Sequence, residues 1–219
     1  MKTGILLPPT RPDQITGLVL AGGLGQRMGQ EKGLVPLHGQ PLAWHALQRL
    51  RLQVGPLALN ANRQLAQYEA LGAPIWTDAP AAEPQGPLAG MLSGLRHCKT
   101  DWLLTVPCDV PNFPSDLAKR LVEALGTPPK PQATVRAFTP DEGNPASATA
   151  RPGPWRQPVF CLLHRSLADD LDGWLQAGGR KVGAWLSRHP LAEAVFDRPQ
   201  DQPGDFANVN TPDELARLS

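Results

Sequence analysis

Short apolar runs alternate along this chain with segments of helical spacing, and that alternation restricts its fold more than any other feature. Thr16 to Ala21, bounded by Gly22-Gly23, reads as a buried strand. Pro41 then opens a segment with apolar residues at Leu42, Ala46, Leu47 and Leu50, the spacing of one helix face. The pattern repeats: a strand at 57–59 and a short helix at 64–71, a strand at 74–77 and a helix at 88–97, a strand at 102–106 and a helix from Pro114. Residues 133–138 and 159–163 read as further strands, with helices from Arg165 and Lys181. Thr211, Pro212 and Glu214 carry the cap, first-turn proline and capping-box signals of a last helix. Such an order predicts an α/β fold, a mostly parallel sheet with helices on both faces. Ligands of these sheets bind beyond the carboxyl ends of strands, at a topological switch point. That rule selects the loops after Leu20 and after Val106.

A chain of 219 residues fits one large domain and buries roughly 70% of its unfolded surface. The 25 prolines cluster in the N-terminus, around Pro128-Pro129-Pro131 and from Pro140 to Pro158, where they mark connections. Residues 1–14 are expected to be a flexible tail, 15–219 the domain, and 139–157 a long loop within it. Lys+Arg 21 against Asp+Glu 20 leaves a formal charge of +1, which supports neither a nucleic-acid surface nor an acidic-membrane surface. A phosphate site must therefore be local. Cys98, Cys108 and Cys161 form no C-x-x-C pair and no disulfide framework, which points to the reducing cytoplasm. Ile5-Leu6-Leu7 is too short for a signal-peptide core, and no apolar run reaches the ~18 residues of a membrane span. The expectation is a soluble protein.

The loop after the first strand reads Leu20-Ala21-Gly22-Gly23-Leu24-Gly25-Gln26-Arg27-Met28-Gly29-Gln30-Glu31-Lys32-Gly33. Closely spaced glycines let backbone N–H groups face an anion, and Arg27 and Lys32 supply countercharge. The loop is no Walker motif, because Lys32 follows Glu31 and precedes Gly33, and no dinucleotide fingerprint, because Met28 stands where Gly or Ala is required. Taken alone, it also fits a plain glycine-rich turn. After the fourth strand, Asp109 lies between Pro107-Cys108 and Val110-Pro111, suited to hold Mg²⁺ beside substrate phosphates or simply to cap a turn. Cys108 has no histidine near it in sequence and reads as a packed residue. The histidines at 38, 45, 97, 164 and 189 have no zinc spacing, and no Gly-x-Ser-x-Gly elbow occurs.

Four motifs in order, Leu20-Ala21-Gly22-Gly23 through Lys32, Gly86-Pro87-Leu88-Ala89-Gly90, Pro107-Cys108-Asp109-Val110-Pro111 and Asn208-Val209-Asn210-Thr211-Pro212, resemble those of the molybdenum cofactor guanylyltransferases. The likeness runs from about Gly17 to Leu218. It implies a single Rossmann-like domain of the nucleotide-diphospho-sugar-transferase type and transfer of GMP from GTP to the terminal phosphate of molybdopterin or Mo-molybdopterin. It further implies that Leu20, Ala21, Gly22, Gly23, Lys32, Asn60 and Asp78 bind nucleotide, with Lys32 and Arg27 on the phosphates and Asp109 holding Mg²⁺. Asn208, Asn210 and Arg180 fall at the pterin end. The guanine base would be read by Asp78 or by backbone carbonyls. Cofactor-synthesis proteins and molybdoenzyme chaperones are the partners the likeness suggests. Two departures stand out: Glu31 replaces the usual Asp before the lysine, and segment 139–157 is longer than usual. A molybdenum cofactor cytidylyltransferase, a sugar-1-phosphate nucleotidyltransferase and a non-catalytic GTP-binding or cofactor-delivery module are the rival readings.

Overall fold

The computed structural model describes residues 8–22, 31–80, 86–126, 147–152, 156–189, 191–202, 204–210 and 214–215. The chain forms β1 (Ile15–Leu20), a small hairpin of β2 (Pro36–Leu37) and β3 (Gln40–Pro41), α1 (Leu42–Arg51), β4 (Leu57–Asn60), α2 (Leu65–Glu69) and β5 (Ile75–Trp76). There follow α3 (Pro87–His97), β6 (Trp102–Pro107), α4 (Leu117–Leu125), β7 (Ser147–Pro152), β8 (Gln157–His164), α5 (Ala168–Gln176), α6 (Val182–Leu186) and β9 (Ala192–Phe196). Seven strands make one sheet in the order β5-β4-β1-β6-β8-β7-β9. Four neighbouring pairs are parallel, and only β8 runs against its neighbours β6 and β7. The expected α/β fold with a mostly parallel sheet is the one observed.

Every residue of β1 is buried, as a strand covered on both faces must be. Its side chains alternate between two cores. Ile15 and Val19 join α1 and α4 through Leu47, Leu50, Leu117 and Leu121, whereas Leu18 and Leu20 join α3, α5 and α6 through Leu88, Met91, Leu171 and Trp185. Helices thus cover both faces. In the N-terminal segment, Pro12–Gln14 forms a 3-10 turn whose Pro12 carbonyl accepts a hydrogen bond from Gly55 N–H at 2.8 Å.

Several elements differ from the sequence expectation. The segment 139–157 contains strand β7, in which Ala148, Thr149 and Ala150 are fully buried. Small residues buried on both sides give no alternation for a sequence pattern to detect, and the flanking prolines argue for a loop. Strand β9 and the β2–β3 hairpin were not expected either. The strand expected at 133–138 lies outside the described residues. Of the last helix only Glu214 and Leu215 are described; the Glu214 carboxylate accepts from Asn210 N–H at 2.6 Å, one residue before the expected cap. Among the described residues, no helix is long and apolar enough to cross a membrane.

Candidate active site

A cleft of about 530 Å³ opens at the carboxyl ends of β5, β4, β1 and β6. Because β8 runs antiparallel, its first residues, Gln157 and Val159, reach the same edge and extend the lining. The wall also includes Leu20 and Gly22 at the end of β1, Asn60, Asn62 and Arg63 at the end of β4, Asp78 after β5, Pro107, Cys108 and Asp109 at the end of β6, and Lys32 and Phe160. Gly86 and Pro87 add the start of α3, and Asn208 the C-terminal segment. Both loops selected by the strand-end rule meet here.

At the centre, Lys32 Nζ donates to Asp109 Oδ2 at 2.6 Å and also to Asn210 Oδ1. The two charged side chains are 19% and 15% exposed, so the pair sits at the cleft wall rather than in bulk solvent. Lys32 is carried by the 3-10 turn Lys32–Leu34, and Asp109 by the turn after β6. The Asp109 carbonyl accepts from Val209 N–H at 2.7 Å, which fixes Asn208 and Asn210 beside it. Residues separated by most of the chain are thereby gathered on one ammonium group.

A second cluster lies at the β4–β5 end. Asn60 Nδ2 donates to the Trp76 carbonyl and to Asp78 Oδ1, both at 2.8 Å. Asn62 Nδ2 donates to Asp78 Oδ2 at 2.7 Å, and its Oδ1 accepts from Asp78 N–H at 2.8 Å. Helix α3 approaches this cluster without a side chain between: a Cβ on Gly90 would stand 2.3 Å from Asn60 Oδ1 and 2.8 Å from Leu20 Cδ2. Gly86, at φ +63°, gives the chain the left-handed turn that starts the helix at the cleft.

The backbone expected to face phosphate is anchored from behind. Ala21 N–H donates to the Asn60 carbonyl at 2.8 Å, and the Ala21 carbonyl accepts from Tyr68 OH at 3.3 Å. Burial pushes the Tyr68 phenol far above its ordinary range and keeps it a donor. Burial, then the neighbouring Asp109 charge, pushes the Cys108 thiol up as well, so it is a packed wall residue and not a thiolate. The longer Glu31 reaches sideways to Arg63, with Oε1 accepting from Nε at 2.6 Å.

Of the residues expected from sequence, Leu20, Gly22, Lys32, Asn60, Asp78, Asp109 and Asn208 line the cleft, Ala21 backs it, and Asn210 joins through Lys32. Arg27 and Gly23 lie outside the described residues. Arg180 is placed elsewhere: its Nη1 donates to the Leu175 and Gly179 carbonyls at 3.0 and 2.8 Å, at the end of α5. Sequence reasoning missed Asn62, Arg63 and Gln157. Asn62 had a signal, since it repeats Asn60 two residues on at a strand end. Gln157 had none, because the direction of β8 is not legible in the sequence.

The donor set suits a hard divalent cation. Asp109 Oδ2 and Asn210 Oδ1 are oxygens already gathered around a positive charge, and Mg²⁺ takes few protein carboxylates. Among the described residues no group of three or more His, Cys, Asp or Glu forms a metal cage.

A family model described as the MobA-like NTP transferase domain matches residues 17–195. A Ralstonia nicotianae protein named molybdenum cofactor guanylyltransferase is 50% identical over 206 residues, 94% of this chain and 96% of that one. An Acidovorax ebreus protein of the same name is 48% identical, over 93% and 94%. Among solved structures, molybdopterin-guanine dinucleotide biosynthesis protein A from Archaeoglobus fulgidus superposes with a TM-score of 0.67 at 23% identity, covering 93% of this chain and 96% of that one. A 4-diphosphocytidyl-2C-methyl-D-erythritol synthase from Anaerococcus prevotii gives 0.65 at 8% identity, covering 95% and 97%. These two share the fold; the sequence matches carry the kinship. This chain belongs to the MobA-like NTP transferase family.

Proposed function

We propose that this chain transfers GMP from GTP to the terminal phosphate of molybdopterin, with or without bound molybdenum, and releases pyrophosphate. The observation that carries the reading is Lys32 paired with Asp109 in a cleft that has an amide–carboxylate cluster at one end and Asn208 at the other. It is supported by kinship with proteins named for that activity. The attacking phosphate is already ionised near neutral pH, so the chain has no proton to remove. Its work is to align two anions and offset their charge.

In this reading the β1 end, Leu20 to Gly22, approaches the nucleotide with its backbone, and Lys32 moves its ammonium onto the triphosphate. Asp109, with the Asn210 amide oxygen nearby, would hold Mg²⁺, which when bound offsets charge on the phosphates. Pro107, Val159 and Phe160 form an apolar part of the cleft wall. Asn208, Asn210 and Arg180 are assigned to the pterin half; the Leu175 and Gly179 carbonyls engage Arg180 Nη1, and a guanidinium has further donors for a phosphate. Residues 15–219 form the catalytic domain. Three buried free cysteines are compatible with residence in the cytoplasm.

Turnover with GTP and molybdopterin, followed as pyrophosphate release, tests the reading, with CTP as the competing donor. GTP is expected to be the preferred donor, and Lys32→Ala to lose about 100-fold or more in kcat. Preference for CTP, or near-normal turnover by the variant, contradicts it.

A further inference from the structure

We propose that Asn62 is a positioning residue that sets Asp78 to accept hydrogen bonds from the neutral donors of the bound nucleoside. The inference rests on the nucleotide reading above, with Asp78 as a nucleoside contact, and adds the role of Asn62.

Asp78 is gripped on three atoms. Its Oδ1 accepts from Asn60, its Oδ2 from Asn62, and its own N–H donates back to Asn62 Oδ1. The bonds to Asn62, at 2.7 and 2.8 Å, form a reciprocal pair that fixes both the backbone and the carboxylate plane of residue 78. An ionised carboxylate offers about four acceptor sites, so two remain for a ligand in the cleft that Asp78 lines. Neutral amides hold the group without neutralising it. A carboxylate so held repels phosphate and suits N–H or O–H donors: the guanine ring N–H and 2-amino group, or the ribose hydroxyls. The phosphates then belong at the other end, beside Lys32. Asn62 is itself exposed, so its side chain adds little to the fold, and its effect should fall on the ligand.

Calorimetric titration of the whole chain with GTP, inosine triphosphate and 2′,3′-dideoxy-GTP, all with Mg²⁺, tests the proposal. Asn62→Ala should weaken GTP about tenfold, the worth of a hydrogen bond to a charged group, with Tm unchanged. The penalty should shrink for the analogue lacking the donor that Asp78 meets: inosine triphosphate for the base edge, the dideoxy analogue for the ribose. The exchanged pair Asn62→Asp/Asp78→Asn keeps the bond from the residue 78 N–H and reverses only the side-chain bond, so that residue 62 accepts both, yet should not restore affinity, because the carboxylate is then displaced from position 78. Unchanged GTP affinity in Asn62→Ala, equal losses for all three nucleotides, or restoration by the exchanged pair each overturn the positioning role alone. A wild-type chain that binds no GTP overturns the nucleotide reading as well.

Discussion

Gly90 carries no side chain because Asn60 fills the space that one would need. A Cβ there would meet Asn60 Oδ1 at 2.3 Å, and Asn60 cannot yield freely while it bridges the Trp76 carbonyl and Asp78. Gly90→Ala is therefore expected to lower Tm, since overpacking of this kind costs about 1–3 kcal/mol. It should also weaken GTP binding about tenfold, through displaced Asn60 and Asp78. A variant with lowered Tm and intact GTP affinity would separate the two asparagine contacts from the nucleotide. Lys32 shows the same economy at the other end of the cleft. Its ammonium serves Asp109 and a residue 178 positions later, Asn210, so the C-terminal segment is part of the site. The residue types at these positions were legible in the sequence: glycines after a buried strand, a lysine beyond them, a carboxylate after the next central strand. Their mutual contacts were not, because hydrogen bonds between loops that follow different strands leave no spacing pattern.

Elements differ in how plainly the chain announces them. β1, β4 and β6 are apolar runs closed by glycine, asparagine or proline, and α1 and α4 show one apolar face each; all were expected near their observed bounds. β7 and β9 were not, since buried alanines and alternating half-buried positions are weak signals at the far edge of the sheet. That edge is held to α4 by Arg120, which is 3% exposed. Its Nη1 donates to Asp201 Oδ1 at 2.6 Å, its Nη2 to the Val195 carbonyl, and its guanidinium lies 3.8 Å from the centre of the Phe196 ring. Burial by itself would push the Asp201 carboxyl up, but hydrogen bonds from Arg120 and from Arg198 N–H, with the charges of both arginines, outweigh it and hold it below the usual range. A depressed carboxyl contributes stability above its unfolded pKa of about 3.9 and loses it as pH falls through the folded value. Asp201→Ala should therefore cost about 3 kcal/mol at neutral pH by leaving a buried guanidinium unpaired, and the gap to wild type should narrow in acid. Denaturant unfolding at neutral and acid pH measures both; a gap independent of pH would remove Asp201 from the account.

At the scale of the whole molecule, one reversal of direction shapes the site. With β5, β4, β1 and β6 parallel, their carboxyl ends place Asp78, Asn60, Gly22 and Asp109 along one edge. The antiparallel β8 then delivers its beginning, not its end, to that edge, and the C-terminal segment closes over Asp109. The half of the cleft proposed to take the nucleotide follows from a fold rule that can be applied to sequence. The half proposed for the acceptor depends on strand direction and on a long-range strap, which cannot be read from sequence. The central element of the proposed function is a guanine nucleotide bound in this cleft with a divalent cation at Asp109. Titration calorimetry of the purified chain with GTP, CTP and ATP, each with and without Mg²⁺, measures that directly. The expected result is selective, Mg²⁺-strengthened GTP binding that Asp109→Ala makes insensitive to the cation; equal binding of all three nucleotides, or none, would contradict it.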